Sequence, residues 1–310
     1  MIDNTAPVKA FGEIITQVAA RNKNVVVIDI DSLNQFKLDS YSKEFGDRYF
    51  NVGESPENGL DIAVGMVSQG KIPFVCGPTH TLLGRGLGSI RNNIAAPNLN
   101  IKVIGAGGGL SLAGAGNRQQ ILEDFAIMST MAGTKVFCPS DGVETKEVVR
   151  AIVDDYGPTY LRLHNLELPA VMEEEEFDIG KGRTIKAGKR IHVLATGVMV
   201  SQAILAMKEL EEEGIFIGVT NIASLKPIDK ELVVNLSKDN DYIFTLEDHQ
   251  LRGGLGSKVI EVLNKAGVYR EVYRLGMDRF GESGSLKDLY KKYGFDVEGI
   301  KKSILKTIQK

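Results

Sequence analysis

Short apolar runs recur along this chain, each followed by a longer stretch with helical spacing, and that alternation limits the fold more than any single motif. Asn24 to Ile30 carries a Val-Val-Val-Ile core and breaks at a turn over Asp29 to Ser32. Lys71 to Cys76, Ile101 to Gly105, Val136 with Phe137, and Thr159 to Leu163 read as further strands. Glu144 to Val153, after the turn Cys138 to Gly142, has the apolar spacing of a helix. Strands separated by helices predict an α/β fold: a mostly parallel sheet with helices on both faces, since a parallel connection needs a crossover long enough to hold a helix.

Composition shifts after Leu168. The acidic run Glu173 to Glu176 and the turn-rich Gly180-Lys181-Gly182 read as solvated connection. A second αβ series follows, with strands expected at Arg190 to Ala195, Phe216 to Val219 and Tyr242 to Leu246. Helices are expected at Val200 to Glu213 and Val297 to Ile308, the latter with an apolar stripe of Ile300, Ile304 and Ile308. At 310 residues the chain can bury two cores. The expected division is a domain over residues 1–168, a linker over 169–188 and a domain over 189–310.

The charges are interspersed, 37 Lys and Arg against 40 Asp and Glu, so no extended positive field favours nucleic acid. Cys76 and Cys138 form no paired motif and the 4 histidines are scattered, so no metal ligands are assigned. No run has the length of a membrane helix, and the opening residues lack the basic and apolar regions of a signal peptide, so a cytoplasmic protein without membrane contact is expected. Gly253 to Gly256 fits neither the Walker pattern nor the dinucleotide fingerprint, and reads as a tight turn ahead of a packed helix.

Several segments are more specific. Lys9 to Gly12, Asp47 to Gly53, Gly70 to Val75, Arg91 to Ala95, Gly109-Leu110-Ser111, Glu123-Asp124 and Pro139-Ser140-Asp141 occur in order. Ala195-Thr196-Gly197, Lys226 to Asp229, Glu247-Asp248-His249, Gly253 to Ser257 and Phe280 to Gly284 follow. Together they resemble the C-terminal half of transketolase, and the related region of 1-deoxy-xylulose-5-phosphate synthase, over nearly the whole chain. The resemblance implies a pyrimidine-binding domain followed by a transketolase C-terminal domain. It also implies thiamine diphosphate and Mg²⁺, with diphosphate and metal held mainly by a partner subunit that carries the family's N-terminal domain. Self-association through this chain would then give a heterotetramer.

Against that pattern, the positions of the chemistry look altered. In the family a glutamate three residues after the glycine of Asn-Val-Gly hydrogen-bonds N1′ of the aminopyrimidine; here that place is Pro56, flanked by Glu54 and Glu57. Glu57 is the first candidate to replace it and Glu54 the second. The plain alternative is Pro56 as helix initiator, with Glu57 a first-turn carboxylate and the usual activation lost. Where the family supplies two phenylalanines around the pyrimidine, this chain has Pro78 and Thr81, with His80 as a flat ring from the neighbouring position. Gln119 stands where the family has a histidine; glutamine donates and accepts hydrogen bonds but does not cycle a proton near neutral pH. Arg118 beside it suits an anionic group.

Weaker candidates remain. Glu123 opens a helix like the family's acidic interface helix, and either orients the cofactor region of a neighbouring chain or simply favours the first turn. Asp31 matches an acidic position facing sugar hydroxyls, or caps a turn. Arg162 and His164 share one face of a strand that the resemblance places near the substrate entrance, as an anion-binding rim or an ordinary surface pair. Three functions are compatible with these residues. One is the C-terminal subunit of a two-polypeptide transketolase moving a two-carbon ketol unit between sugar phosphates or related anionic sugars. Another is a non-catalytic or regulatory partner subunit, and the third a different thiamine-dependent decarboxylase or carboligase.

Overall fold

The computed structural model describes residues 4–167 and 169–309, and among these residues the strands fall into two sheets. In chain order they are β1 (Val25–Asp29), β2 (Tyr49–Asn51), β3 (Ile72–Pro78), β4 (Lys102–Ala106), β5 (Lys135–Phe137), β6 (Thr159–Leu163), β7 (Arg183–Lys186), β8 (Arg190–Ala195), β9 (Ile217–Asn221), β10 (Ser224–Lys226), β11 (Asn240–Gln250) and β12 (Val272–Met277). The helices are α1 (Pro7–Arg21), α2 (Leu33–Phe36), α3 (Asp39–Glu44), α4 (Pro56–Val67), α5 (Thr79–Ser89), α6 (Asp124–Thr130), α7 (Gly142–Asp154), α8 (Met199–Glu212), α9 (Lys230–Asp239), α10 (Leu255–Lys265), α11 (Leu286–Tyr293) and α12 (Val297–Ile308).

The first sheet has the order β10–β5–β6–β4–β3–β1–β2 and is parallel except for β10, which runs antiparallel to β5. The second has the order β12–β11–β8–β9–β7 and is parallel except for β7 against β9. The α/β expectation holds, with corrections at the edges. Arg183–Lys186, expected in the linker, is an edge strand of the second sheet. Ser224–Lys226 lies in the second half of the chain but completes the first sheet.

Packing explains the layers. Pro7 sits at the start of α1, where its missing N–H costs nothing, and Val8, Phe11, Ile14, Ile15 and Val18 form the stripe that α1 buries against α7 and the sheet. Burying side chains of this size contributes about 2 kcal/mol each. On the opposite face Leu60, Ala63, Leu82 and Ile90 of α4, α5 and the turn after it form a second layer. Ala203, Met207 and Leu210 of α8 meet Ile300 and Ile304 of α12 over the second sheet. Asp141 caps α7 by accepting from Glu144 N at 2.8 Å, while its other oxygen takes Val171 N and Met172 N at 2.7 and 2.9 Å. One carboxylate thus starts a helix and fixes the departing chain.

Because β1 to β6 run parallel, the segments after β1, β2, β3, β4 and β6 all leave the same edge of the sheet. That edge is where open α/β sheets bind ligands. Among the described residues, no helix is long and apolar enough to cross a membrane.

Candidate active site

The turn after β2 is built on Gly53, whose φ of 65° lies in the left-handed region and whose N–H donates to Asn51 Oδ1 at 2.8 Å. It delivers the chain to α4, which begins at Pro56. Pro56 is buried and packs towards Gly86 of α5. Glu57, one position on, is half exposed in the first turn, 3.7 Å from Arg85. Glu54 is exposed. Position 56 therefore faces helix packing, while the two flanking acids face outward.

The segment after β3 turns into α5 at Pro78, which is half-buried. Thr79 is buried and donates to Ala106 O at 2.9 Å, tying α5 to β4. Thr81 is 7% exposed and points into the protein, so it does not line an open ring pocket. His80 is half-buried, with Nδ1 buried and without a hydrogen-bond partner. Burial pulls its pKa below the ordinary histidine value, and the Glu54 carboxylate opposes that shift, which places acid and imidazole in one electrostatic neighbourhood.

The long segment after β4 holds Arg118 and Gln119, both exposed at its tip. Gln120, not singled out from sequence, is the inward residue: its Nε2 donates to Ala113 O at 3.1 Å and to Glu282 O at 2.9 Å. Gly284 N adds a bond to Ala113 O at 3.2 Å, so the second half of the chain grips the base of this loop. Glu123 is half-buried ahead of α6, and its carboxylate accepts from Leu122 N at 2.8 Å.

Arg162 and His164 stand elsewhere than on a rim. Their strand, β6, is interior, flanked by β4 and β5, and the second half of the chain closes over its end. Arg162 is fully buried between Asp124 Oδ1 at 3.3 Å and Asp248, whose carbonyl accepts at 2.7 Å and whose Oδ2 lies at 3.4 Å. Its guanidinium lies over the Phe125 ring, and Tyr160 Oη donates to Asp124 Oδ2 at 2.8 Å. Asp248 also accepts Leu110 N, next to Gly109, where any Cβ would collide with Arg162 and Asp248. His164 is buried, with Nδ1 2.8 Å from Ser111 Oγ and Nε2 3.6 Å from Cys138 Sγ. Burial, with Arg162 beside it, holds its pKa well below the ordinary value.

Asp31 is exposed with φ of 52°, in the left-handed region, and the acid engaged there is Asp29. Asp29 accepts from Ser32 N at 2.7 Å, from Ser32 Oγ and from Tyr49 Oη at 2.6 Å. It is the last residue of β1, at the edge of the turn expected over Asp29 to Ser32, and all five residues of that strand are buried, so no alternation marked it. The Gly253 to Gly256 turn wraps the buried Glu247 carboxylate, which takes Leu255 N and Gly256 N at 2.6 and 2.9 Å. Those helix-start amides are therefore occupied by a side chain.

Residues 4–171 match the family model described as the transketolase pyrimidine binding domain, and residues 180–300 that of the transketolase C-terminal domain. This chain belongs to the transketolase family. A Methanocaldococcus jannaschii protein, named provisionally as a transketolase C-terminal section, is 35% identical over 306 residues, covering 97% of this chain and 96% of that one. A Phocaeicola vulgatus protein named as one of the subunits of apulose-4-phosphate transketolase is 29% identical over 304 residues, 97% of each chain. A solved structure described as a split gene transketolase, inactive beta4 tetramer, superposes with a TM-score of 0.88 at 33% identity over 97% of both chains. As a transketolase relative, the chain carries the pyrimidine-binding portion of a thiamine diphosphate-dependent family.

Proposed function

We propose that this chain is the pyrimidine-binding subunit of a two-polypeptide transketolase that moves a two-carbon ketol unit between anionic sugars. The observation that carries this reading is the end-to-end match to proteins named as split or subunit forms of transketolase. Diphosphate and Mg²⁺ are assigned to a partner subunit with the family's N-terminal domain, and a second copy of this chain completes a heterotetramer.

A thiamine ring system needs a flat neighbour and an acid at the pyrimidine edge. The buried, partnerless Nδ1 of His80 beside Glu54, with Glu57 in the first turn of α4, fits that requirement. When bound, the cofactor supplies an acidic C2–H whose proton removal opens ketose cleavage. His80 would offer its ring face and free nitrogen, and Glu57 or Glu54 the carboxylate for N1′. Pro78 would close the ring's edge. Gln119 would hold a substrate oxygen without exchanging a proton, and Arg118 would pair with the substrate's phosphate or sulfonate. The named substrate of the Phocaeicola relative carries such a phosphate.

Hydrogen–deuterium exchange at C2 of thiamine diphosphate tests the proposal, in a complex of this chain with its partner subunit and Mg²⁺. Exchange at least tenfold faster than for free cofactor is expected, and Glu57→Gln or Glu54→Gln identifies the acid by abolishing the gain. Exchange at the free-cofactor rate, with cofactor bound, would overturn it in favour of a non-catalytic subunit. The burial of Pro56 at the position of the family's glutamate is the observation that favours that second reading.

A further inference from the structure

Where α6 ends against the second half of the chain, a cavity of about 570 Å³ opens between the Leu225–Lys230 segment, α9 and α10. That volume lies in the range of small-molecule sites. Its floor is apolar, from Leu225, Ile228, Val234 and Val262. Its rim carries four lysines, Lys226, Lys230, Lys258 and Lys265, against one carboxylate, Glu261, which is already bound to Lys265 at 2.6 Å.

The lysines are not equivalent. Lys226 Nζ donates to Ser129 O at 2.8 Å and Met131 O at 2.5 Å, neutral carbonyls that leave its charge uncompensated. Lys258 and Lys230 have no hydrogen bond or ion pair among the described residues, and Lys258 is half-buried. Burial, then Lys226, pushes the Lys258 ammonium down to about 8, against the pull of Glu261 and Glu247. Ammonium groups withdrawn from water without an anion are destabilising, and the penalty falls when an oxyanion enters between them.

We propose that this cavity is a binding site for an organic phosphate, with the phosphate between Lys258, Lys230 and Lys226 and the organic part on the Leu225–Val262 floor. The apolar floor distinguishes this ligand from a bare ion, because a bare ion would use the rim alone. The cavity shares no lining residue with residues 53–57, 78–81 or 116–120. Ser129 comes from the helix that carries Asp124, while Lys226 and Lys258 come from the other half, so an occupant bridges both halves of the chain.

Isothermal titration of the full chain with phenyl phosphate, and separately with inorganic phosphate, tests the site at constant ionic strength. Saturable binding of phenyl phosphate is expected, tighter than inorganic phosphate, and at least tenfold weaker in Lys258→Gln. Lys230→Gln, an exposed position, should weaken it several-fold and serves if Lys258→Gln does not fold; Lys23→Gln should leave it unchanged. Equal affinity in wild type and Lys258→Gln, or in Lys230→Gln should the first variant fail, would overturn the proposal. So would a response that sodium chloride reproduces.

Discussion

Arg162 and Glu57 are both charged, both lie within one element of the sheet's ligand-binding edge, and meet opposite fates. Around Arg162 nearly every polar atom is engaged inside the protein: two carboxylates, a carbonyl, a tyrosine hydroxyl and an aromatic face. Around Glu57, Glu54, His80, Arg118 and Gln119 the groups are exposed or partnerless. The first region pairs its charges within the chain, with Arg162 Nε left without a partner, and so holds the two halves together. The second keeps its groups open, as the proposed cofactor and partner surface requires.

Removing Arg162 should separate the two regions most sharply. Arg162→Met leaves Asp124 and Asp248 buried without their cation and should destabilise by about 3–5 kcal/mol in urea unfolding; a loss below about 1 kcal/mol would erase the distinction. Gln120→Ala, at the base of the Arg118–Gln119 loop, loses one buried and one half-buried hydrogen bond and should cost about 1–3 kcal/mol.

The buried seam should also be the more sensitive to pH. His249 stacks on Phe125 and is held down to about 4, by burial first, with Asp124 pulling it up and Arg162 pushing it down. A histidine depressed in the fold contributes stability that is present above its unfolded value near 6.5 and lost as pH falls towards 4. Glu247, 3.7 Å away and raised by burial to about 7, acts oppositely: its contribution is present below 4.5 and lost as pH rises through 7. The stability cost of His249→Gln should therefore shrink by about 1.4 kcal/mol for each pH unit below 6.5. Thermal melts from pH 7 to pH 5 would show it, and a cost independent of pH would contradict the assignment. At the small end, Glu57→Gln and Arg85→Gln should each change stability by less than about 1 kcal/mol, since their contact is long and half exposed.

Much of this architecture was legible from apolar alternation. The strands around Val25, Phe74, Val103 and Leu161, the helix from Val297 to Ile308 and the two-series organisation need only local spacing. Strands β2, β10 and β12 did not announce themselves, because their pairing comes from partners distant in sequence. The same limit governed the site. That Pro56 starts a helix was one of the readings open from sequence, because proline suits the first helical turn. That Arg162 is interior follows from strand order, which no local pattern reveals. Gln120 and Gln119 are chemically identical neighbours, and only the fold decides which one turns inward.

The short ribbon Ser224–Lys226 has a consequence for how the chain can be divided. It lends an edge to a sheet built otherwise from residues before 164, so a protease nick in the acidic connection would not release two independent modules. Fully separated, the N-terminal fragment would lose one neighbour of β5 and bare a line of unpaired amides and carbonyls, while the C-terminal fragment would carry the missing strand as a loose arm. The two fragments would be expected to stay associated after cleavage, and neither is a unit that recombination could transplant whole.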